Sequence, residues 1–169
     1  MLPKINTILY ATGLGPSAPY VYRFAMSLAR QYDARIVAVH GMEPLSTFAQ
    51  SLVELHVPHE RSEEMHRQAR EQVRENLRER IQRLCQMENA ADPGECDRVD
   101  DIRVVEGQPA QVVLQAAREV QADLIVMGSH RKTVIGDAIL GSTTHKVLHG
   151  TDKPVLVVRI PDGYREEGF

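Results

Sequence analysis

Apolar residues collect along this chain into short runs, separated by longer stretches in which they recur every three or four positions. The runs are Ile5 to Ala11 (INTILYA), Arg35 to His40 (RIVAVH), Ile102 to Val105, Asp123 to Gly128 (DLIVMG) and Pro154 to Val158 (PVLVV). Each is short, carries β-branched residues and is bounded by turn formers, the pattern of buried strands. Beyond Ser17, an N-cap residue type, Val21, Phe24, Ala25, Leu28 and Ala29 fall at i, i+3, i+4, i+7 and i+8, which predicts an amphipathic helix. From Glu60 to Met87, a narrow stripe of Met65, Ala69, Val73, Leu77, Ile81 and Leu84 runs through Arg and Glu and predicts a long helix. Glu63 with Arg67, and Glu79 with Arg83, then sit at i, i+4 on its solvent side. Gly107-Gln108-Pro109 opens a further helix that buries Val112, Val113, Ala116, Ala117 and Val120, and Ser142 to His149 forms a short one.

Strands and helices alternate from end to end, with Asn89 to Asp100 a polar connection. Strands that are apolar at every position belong to a sheet covered on both faces, so the expected fold is α/β. It is a single domain over residues 1–169, an open, twisted, parallel five-stranded sheet with helices on both faces. In such sheets ligands bind beyond the carboxyl ends of the strands, where the strand order reverses. That rule points to the loops after the first and fourth strands, Thr12 to Ser17 and Gly128 to Gly141.

Composition narrows the partners. The chain has 43% hydrophobic residues and a formal charge of -3, enough for one core and no general attraction to phosphate backbones or anionic lipid. The charged helix therefore reads as a solvated face, and neither nucleic acid nor membrane is an expected partner. No apolar run approaches the roughly 20 residues of a bilayer span, and the start MLPKINTILYATG lacks a signal-like segment, so a cytoplasmic protein is expected. Cys85 and Cys96 have no metal-like or CxxC spacing and are expected to be reduced bystanders.

The second loop carries the chemistry. Its glycines allow close approach of a backbone to phosphates, and the free amides opening the helix at Ser142 favour an anion. Glycines also end strands and open helices without any ligand, so spacing alone leaves both readings standing. Gly136-x4-Gly141-Ser142-Thr143 looks like a phosphate loop but lacks its Lys, which argues against a motor or kinase-like NTPase. Gly13-x-Gly15-x-x-Ala18 satisfies a loose dinucleotide fingerprint, but no acidic residue ends strand two at His40-Gly41, Glu43 being the nearest. His145 and His149 share a helical spacing without a third ligand, and no G-x-S-x-G elbow occurs, so no metal centre or catalytic constellation is expected.

Gly128, Gly141 and Ser142 fit the frame G-x2-G-x9-G-[ST], and Leu140-Gly141-Ser142, Lys146-Val147-Leu148, Pro154 to Val158, Ile8 to Thr12 and Glu106 to Ala110 accompany it. In these segments the chain resembles the universal stress protein family, everywhere except the variable stretch from Met42 to Asp100. The resemblance implies a Rossmann-like, adenine nucleotide α-hydrolase-like fold and a site for ATP or AMP, with Mg²⁺ accompanying ATP. In this reading Gly128, Ser142, Thr143 and Arg131 hold phosphates, and Gly141 and Thr144 belong to the same site. Ala11, Thr12, Gly41 and Met127 line the adenosine side. Two positions depart from that pattern: Arg131 replaces the middle glycine, and Gly13 stands where an acidic residue usually follows Thr12. The resemblance also implies a homodimer through Pro154 to Val158, an apolar strand expected at a sheet edge. The function expected is a non-enzymatic binding or regulatory module in stress response. The alternatives are a slow ATP hydrolase using Asp137 or His130, and a nucleotide-free protein-interaction module.

Overall fold

The structure is a computed structural model that describes residues 1–88, 93–129 and 140–169. Strands β1 (Thr7–Ala11), β2 (Arg35–Met42), β3 (Val99–Glu106), β4 (Leu124–Gly128) and β5 (Val155–Val158) form one sheet in the order β3-β2-β1-β4-β5, and every pairing is parallel. The connecting helices are α1 (Ala18–Tyr32), α2 (Thr47–His56), α3 (His59–Glu88), α4 (Pro109–Glu119) and α5 (Ser142–Gly150), with a short 3₁₀ turn at Pro93–Arg98. The parallel five-stranded α/β sheet expected from the alternation is the one observed.

Side chains that alternate along each central strand serve two separate cores. Ile8 and Tyr10 of β1, Ile36 and Ala38 of β2, and Leu124 and Val126 of β4 face α1 and the second half of α3. Leu9, Val37, Val39, Ile125 and Met127 point to the opposite face, against α4 and Val147 of α5. This division is why the strands are apolar at every position. The edge strand β5 is only partly buried along Val155 to Val157.

Three helical expectations change on contact with the fold. Helix α1 buries Val21, Tyr22, Ala25, Met26 and Ala29, so its stripe is rotated away from Phe24, which is exposed. Ser17 makes no side-chain cap bond. In α3, Leu77, Ile81 and Leu84 are buried as expected, but Met65 and Ala69 lie in the solvent because the first half of the helix runs beyond the sheet. Arg67 pairs with Glu64 at 2.7 Å, one step closer than the expected Glu63, and Arg83 donates to the carbonyl of Gly168. Helix α2 was not foreseen, and it buries none of its residues.

The cysteines also depart from expectation. Cys85, buried at the end of α3, forms a disulfide with Cys96 in the 3₁₀ turn, their Cα atoms 5.6 Å apart. That separation lies inside the range a disulfide spans without backbone movement. The bond ties α3 to the approach of β3, and no described cysteine is free.

Residues beyond β5 fold back over α1 and α3. Arg23 of α1 is the anchor: it forms a two-point pair with the Glu166 carboxylate at 2.7 and 2.8 Å, donates to the Tyr164 hydroxyl at 2.6 Å and pairs with Glu88 of α3 at 2.7 Å. The Tyr164 hydroxyl also donates to the Glu166 carboxylate. Hydrogen bonds from Arg23 and Tyr164 hold the Glu166 carboxyl at about 2, well below the usual carboxylate value. No helix among the described residues is long and apolar enough to cross a membrane.

Closing a loop of roughly a dozen residues is worth about 3 kcal/mol through the unfolded chain. Reduction with dithiothreitol, or the Cys85→Ser/Cys96→Ser variant, should therefore lower Tm by roughly 5 to 12 °C for a chain of this size. A melting curve unchanged by reductant would show that the cross-link contributes nothing to stability.

Candidate functional site

The reversal of strand order beside β1 opens a cavity of about 450 Å³ above the carboxyl ends of β1, β2 and β4. Its floor is Ala11, Val39, His40 and Met127; its walls come from the first loop and from the starts of α1, α4 and α5. The volume falls within the usual range for small-molecule sites. Of the residues expected to bind a ligand, Ala11, Thr12, Gly41, Met127, Gly128, Gly141, Ser142, Thr143 and Thr144 all border this one space. Arg131 lies outside the described residues, as do His130, Gly136 and Asp137.

Each of these residues has a local reason for its position. Thr12 extends the sheet pairing by one step, its amide donating to the Val39 carbonyl at 2.9 Å, while its hydroxyl turns back to the Gly13 carbonyl at 2.8 Å. Nδ1 of His40 lies 2.9 Å from the Thr12 carbonyl, so the ends of β1 and β2 are tied together from both sides. Thr144 is buried, and its hydroxyl meets the Gly128 carbonyl at 3.3 Å, linking α5 to the end of β4. Ser142 is exposed and Thr143 half-buried, both in the first turn of α5, whose cap residue is Gly141. The first amides of a helix lack intrahelical acceptors and carry the positive end of its dipole, so this wall suits an anion.

The glycines divide into two kinds. At Gly128 a β-carbon would lie 3.0 Å from Val21 and 3.2 Å from Ile160, and at Gly41 it would lie 2.7 Å from the Cα of Pro109. Those two are required by packing. At Gly15 a β-carbon would meet nothing, and at Gly13 only the Gly15 amide at 4.0 Å, so the first loop leaves open space beside the cavity. The space at Gly13 is where the family pattern has an acidic side chain.

Several lining residues escaped the reading of the chain. Tyr10 sends its hydroxyl to the Ala18 carbonyl at 3.0 Å, and burial pushes its phenol well above the ordinary value. Its place inside an apolar strand gave no hint of a role. Glu43, just past β2, sits at the rim, so the strand extends further towards the acidic residue than the run ending at His40 suggested. Ile160 reaches the cavity from beyond β5. The rings of His145 and His149 lie 4.5 Å apart on the exposed side of α5, and no group of three metal-ligating side chains occurs among the described residues.

A parallel sheet whose order reverses beside a crevice at the strand ends defines a doubly wound α/β protein. The family model described as "Universal stress protein family" matches residues 4–159, and the chain belongs to that family. A universal stress protein of Thermus aquaticus is 31% identical over 154 residues, which cover 91% of this chain and 98% of that protein. One from Methanocaldococcus jannaschii is 44% identical over 62 residues, covering 37% of this chain and 38% of that protein. The solved structure of the latter has a TM-score of 0.65 at 21% identity, covering 95% of this chain and all of that one, 100%. A universal stress protein solved in complex with cAMP has a TM-score of 0.56 at 21% identity over 94% of this chain and 100% of its own. At these identities the solved structures speak for the fold alone.

The two kinds of glycine predict opposite outcomes. Gly41→Ala must push the end of β2 away from α4, a backbone clash costing about 1–3 kcal/mol, so Tm should fall by roughly 3 to 10 °C. Gly15→Ala should leave Tm within about 2 °C, since surface changes that meet nothing stay near 0.5 kcal/mol. Thermal denaturation of the two variants side by side checks both, and equal shifts would refute the distinction.

Proposed function

We propose that this chain is a non-enzymatic, nucleotide-responsive module of stress adaptation that takes an adenine nucleotide in the cavity beside β1 and β4. The observation that carries this reading is the convergence of the open first loop and the first turn of α5 on one cavity at the strand-order reversal. The apolar floor of Ala11, Val39 and Met127 suits the base, and Glu43 is placed to accept a hydrogen bond from a ribose hydroxyl. Ser142, Thr143 and the amides of α5 suit phosphate oxygens. The cAMP held by a related protein supports a ligand of this class. ATP, with Mg²⁺ to offset its charge, and AMP are the ligands to test beside cAMP.

Calorimetric titration into nucleotide-stripped protein should give micromolar binding of at least one of the three. Each hydroxyl contributes about 1 kcal/mol, so Ser142→Ala/Thr143→Ala should weaken that binding roughly tenfold to thirtyfold. No heat from any of the three up to millimolar concentration would sink the reading.

We further read β5 as the place where two copies meet. It is an edge strand with Val155, Leu156 and Val157 only partly buried, and antiparallel pairing across a two-fold axis would satisfy both open edges at once. Sedimentation should find a dimer that Val157→Pro converts to a monomer. A wild-type monomer at micromolar concentration would refute this pairing.

A further inference from the structure

The first loop of the cavity contains Gly13 and Gly15 in open space, so at these two positions no side chain fixes its backbone. Its three consecutive carbonyls are nevertheless all bonded to groups outside the loop's tip. Nη1 of Arg80, on α3, donates to the Leu14 carbonyl at 2.6 Å, and Nη2 reaches the Gly15 carbonyl at 3.4 Å. The Gly15 carbonyl also accepts from the Ala18 amide at 3.0 Å. The Glu166 amide donates to the Pro16 carbonyl at 3.0 Å. Three of these four hydrogen bonds come from Arg80 and Glu166, two ties far from the loop in sequence.

Both ties are themselves secured by the segment beyond β5. The Phe169 ring lies under the guanidinium groups of Arg80 and Arg83, 5.7 and 5.5 Å from its centroid, and Arg83 also donates to the Gly168 carbonyl. Glu166 is fixed by its two-point pair with Arg23, and the Tyr164 ring packs on Tyr20 with centroids 4.9 Å apart.

From these contacts we propose that residues 160–169 form a strap that, with Arg80 and Glu166 as positioning residues, holds the first loop in its ligand-binding shape. Trans peptides place each N–H opposite the preceding carbonyl. Carbonyls of Leu14 and Pro16 held outward therefore turn the amides of Gly15 and Ser17 the other way. Gly15 and Ser17 both border the cavity, so the strap presents two amide donors to a ligand without touching it. Preorganised donors cost the ligand no ordering on binding, and loosening them weakens affinity. This inference rests on the nucleotide reading for its ligand, though not for the hold on the loop.

The test uses the full chain with Arg80→Met, its conservative counterpart Arg80→Lys, and Glu166→Gln as an independent route should Arg80→Met fail to fold. In ligand-free protein, exchange of the Ala18 amide, which the Gly15 carbonyl holds, should quicken at least tenfold in Arg80→Met and Glu166→Gln, with β1 and β4 unchanged. Arg80→Lys, which keeps one charged donor, should fall between. Calorimetry with Mg-ATP should show a Kd about tenfold weaker in the same two variants. Loop exchange equal to wild type overturns the strap, and so does faster exchange with an unchanged Kd. If wild-type protein binds no Mg-ATP, the nucleotide reading falls by itself and the exchange data alone decide: quickened exchange keeps the strap, unchanged exchange removes it.

Discussion

Strand β1 pairs along both edges and is buried on both faces, and the arrangement of the other elements follows from satisfying it. With β2 on one side and β4 on the other, the chain must lay down β2 and β3 outward, then cross back over β1 to begin β4. Each crossing needs a helix to cover the face it passes, which sets α1 and α3 against Ile8 and Tyr10, and α4 and α5 against Leu9. The two connections that leave β1 and β4 depart to opposite sides of the sheet. A crevice therefore remains between them, bordered by the first loop and the first turn of α5. The cavity is a consequence of the sheet order before any side chain is chosen to line it.

The central strands β1, β2 and β4 were legible because each must satisfy two cores at once, and that demand writes an uninterrupted apolar run into the chain. Helices facing a single core leave a weaker trace. In α1 two overlapping apolar stripes compete, one through Phe24 and Leu28 and one through Tyr22 and Met26, and only contact with β1 and β4 decides between them. In α3 the periodicity runs the whole length, but the sheet is long enough to cover only its second half. Helix α2 carries Phe48, Leu52 and Leu55 at i, i+4 and i+7, but all three are exposed, so that stripe meets no core. The disulfide was hidden for a different reason. Cys85 and Cys96 stand eleven residues apart with no motif between them, and only the return of the chain towards β3 brings them together.

The described residues expected at a ligand site border one cavity, but the chain reveals less of the part each plays in the fold. At Gly128, which opens the family motif, a β-carbon would press on the side chains of Val21 and Ile160, so packing bears on this position as well as any ligand. Gly41 answers similarly to Pro109, and Thr144 spends its hydroxyl on the Gly128 carbonyl. What faces the cavity is partly side chain, Ser142 and Thr143 among them, and partly backbone, in the first loop and the first turn of α5. A sequence motif identifies where such backbone lies, because only certain residues permit it, but backbone amides have no letter of their own. Residues retained for packing and residues retained for a ligand consequently look alike in the chain.

This has a consequence for how a member of the family can be tuned. Ser142 and Thr143 can be exchanged directly, but the backbone part of the cavity wall cannot, since an amide is the same group at every position. It can be adjusted by the groups on the far side of each peptide, because a carbonyl and the next amide turn as one rigid unit. In this protein those outer groups are Arg80, from the stretch in which the resemblance is weakest, and Glu166, beyond the matched residues 4–159. The frame that carries the family resemblance supplies the crevice, and Arg80 and Glu166 grip its loop from outside. Differences in ligand response between members with the same motif can therefore arise from residues that never meet the ligand.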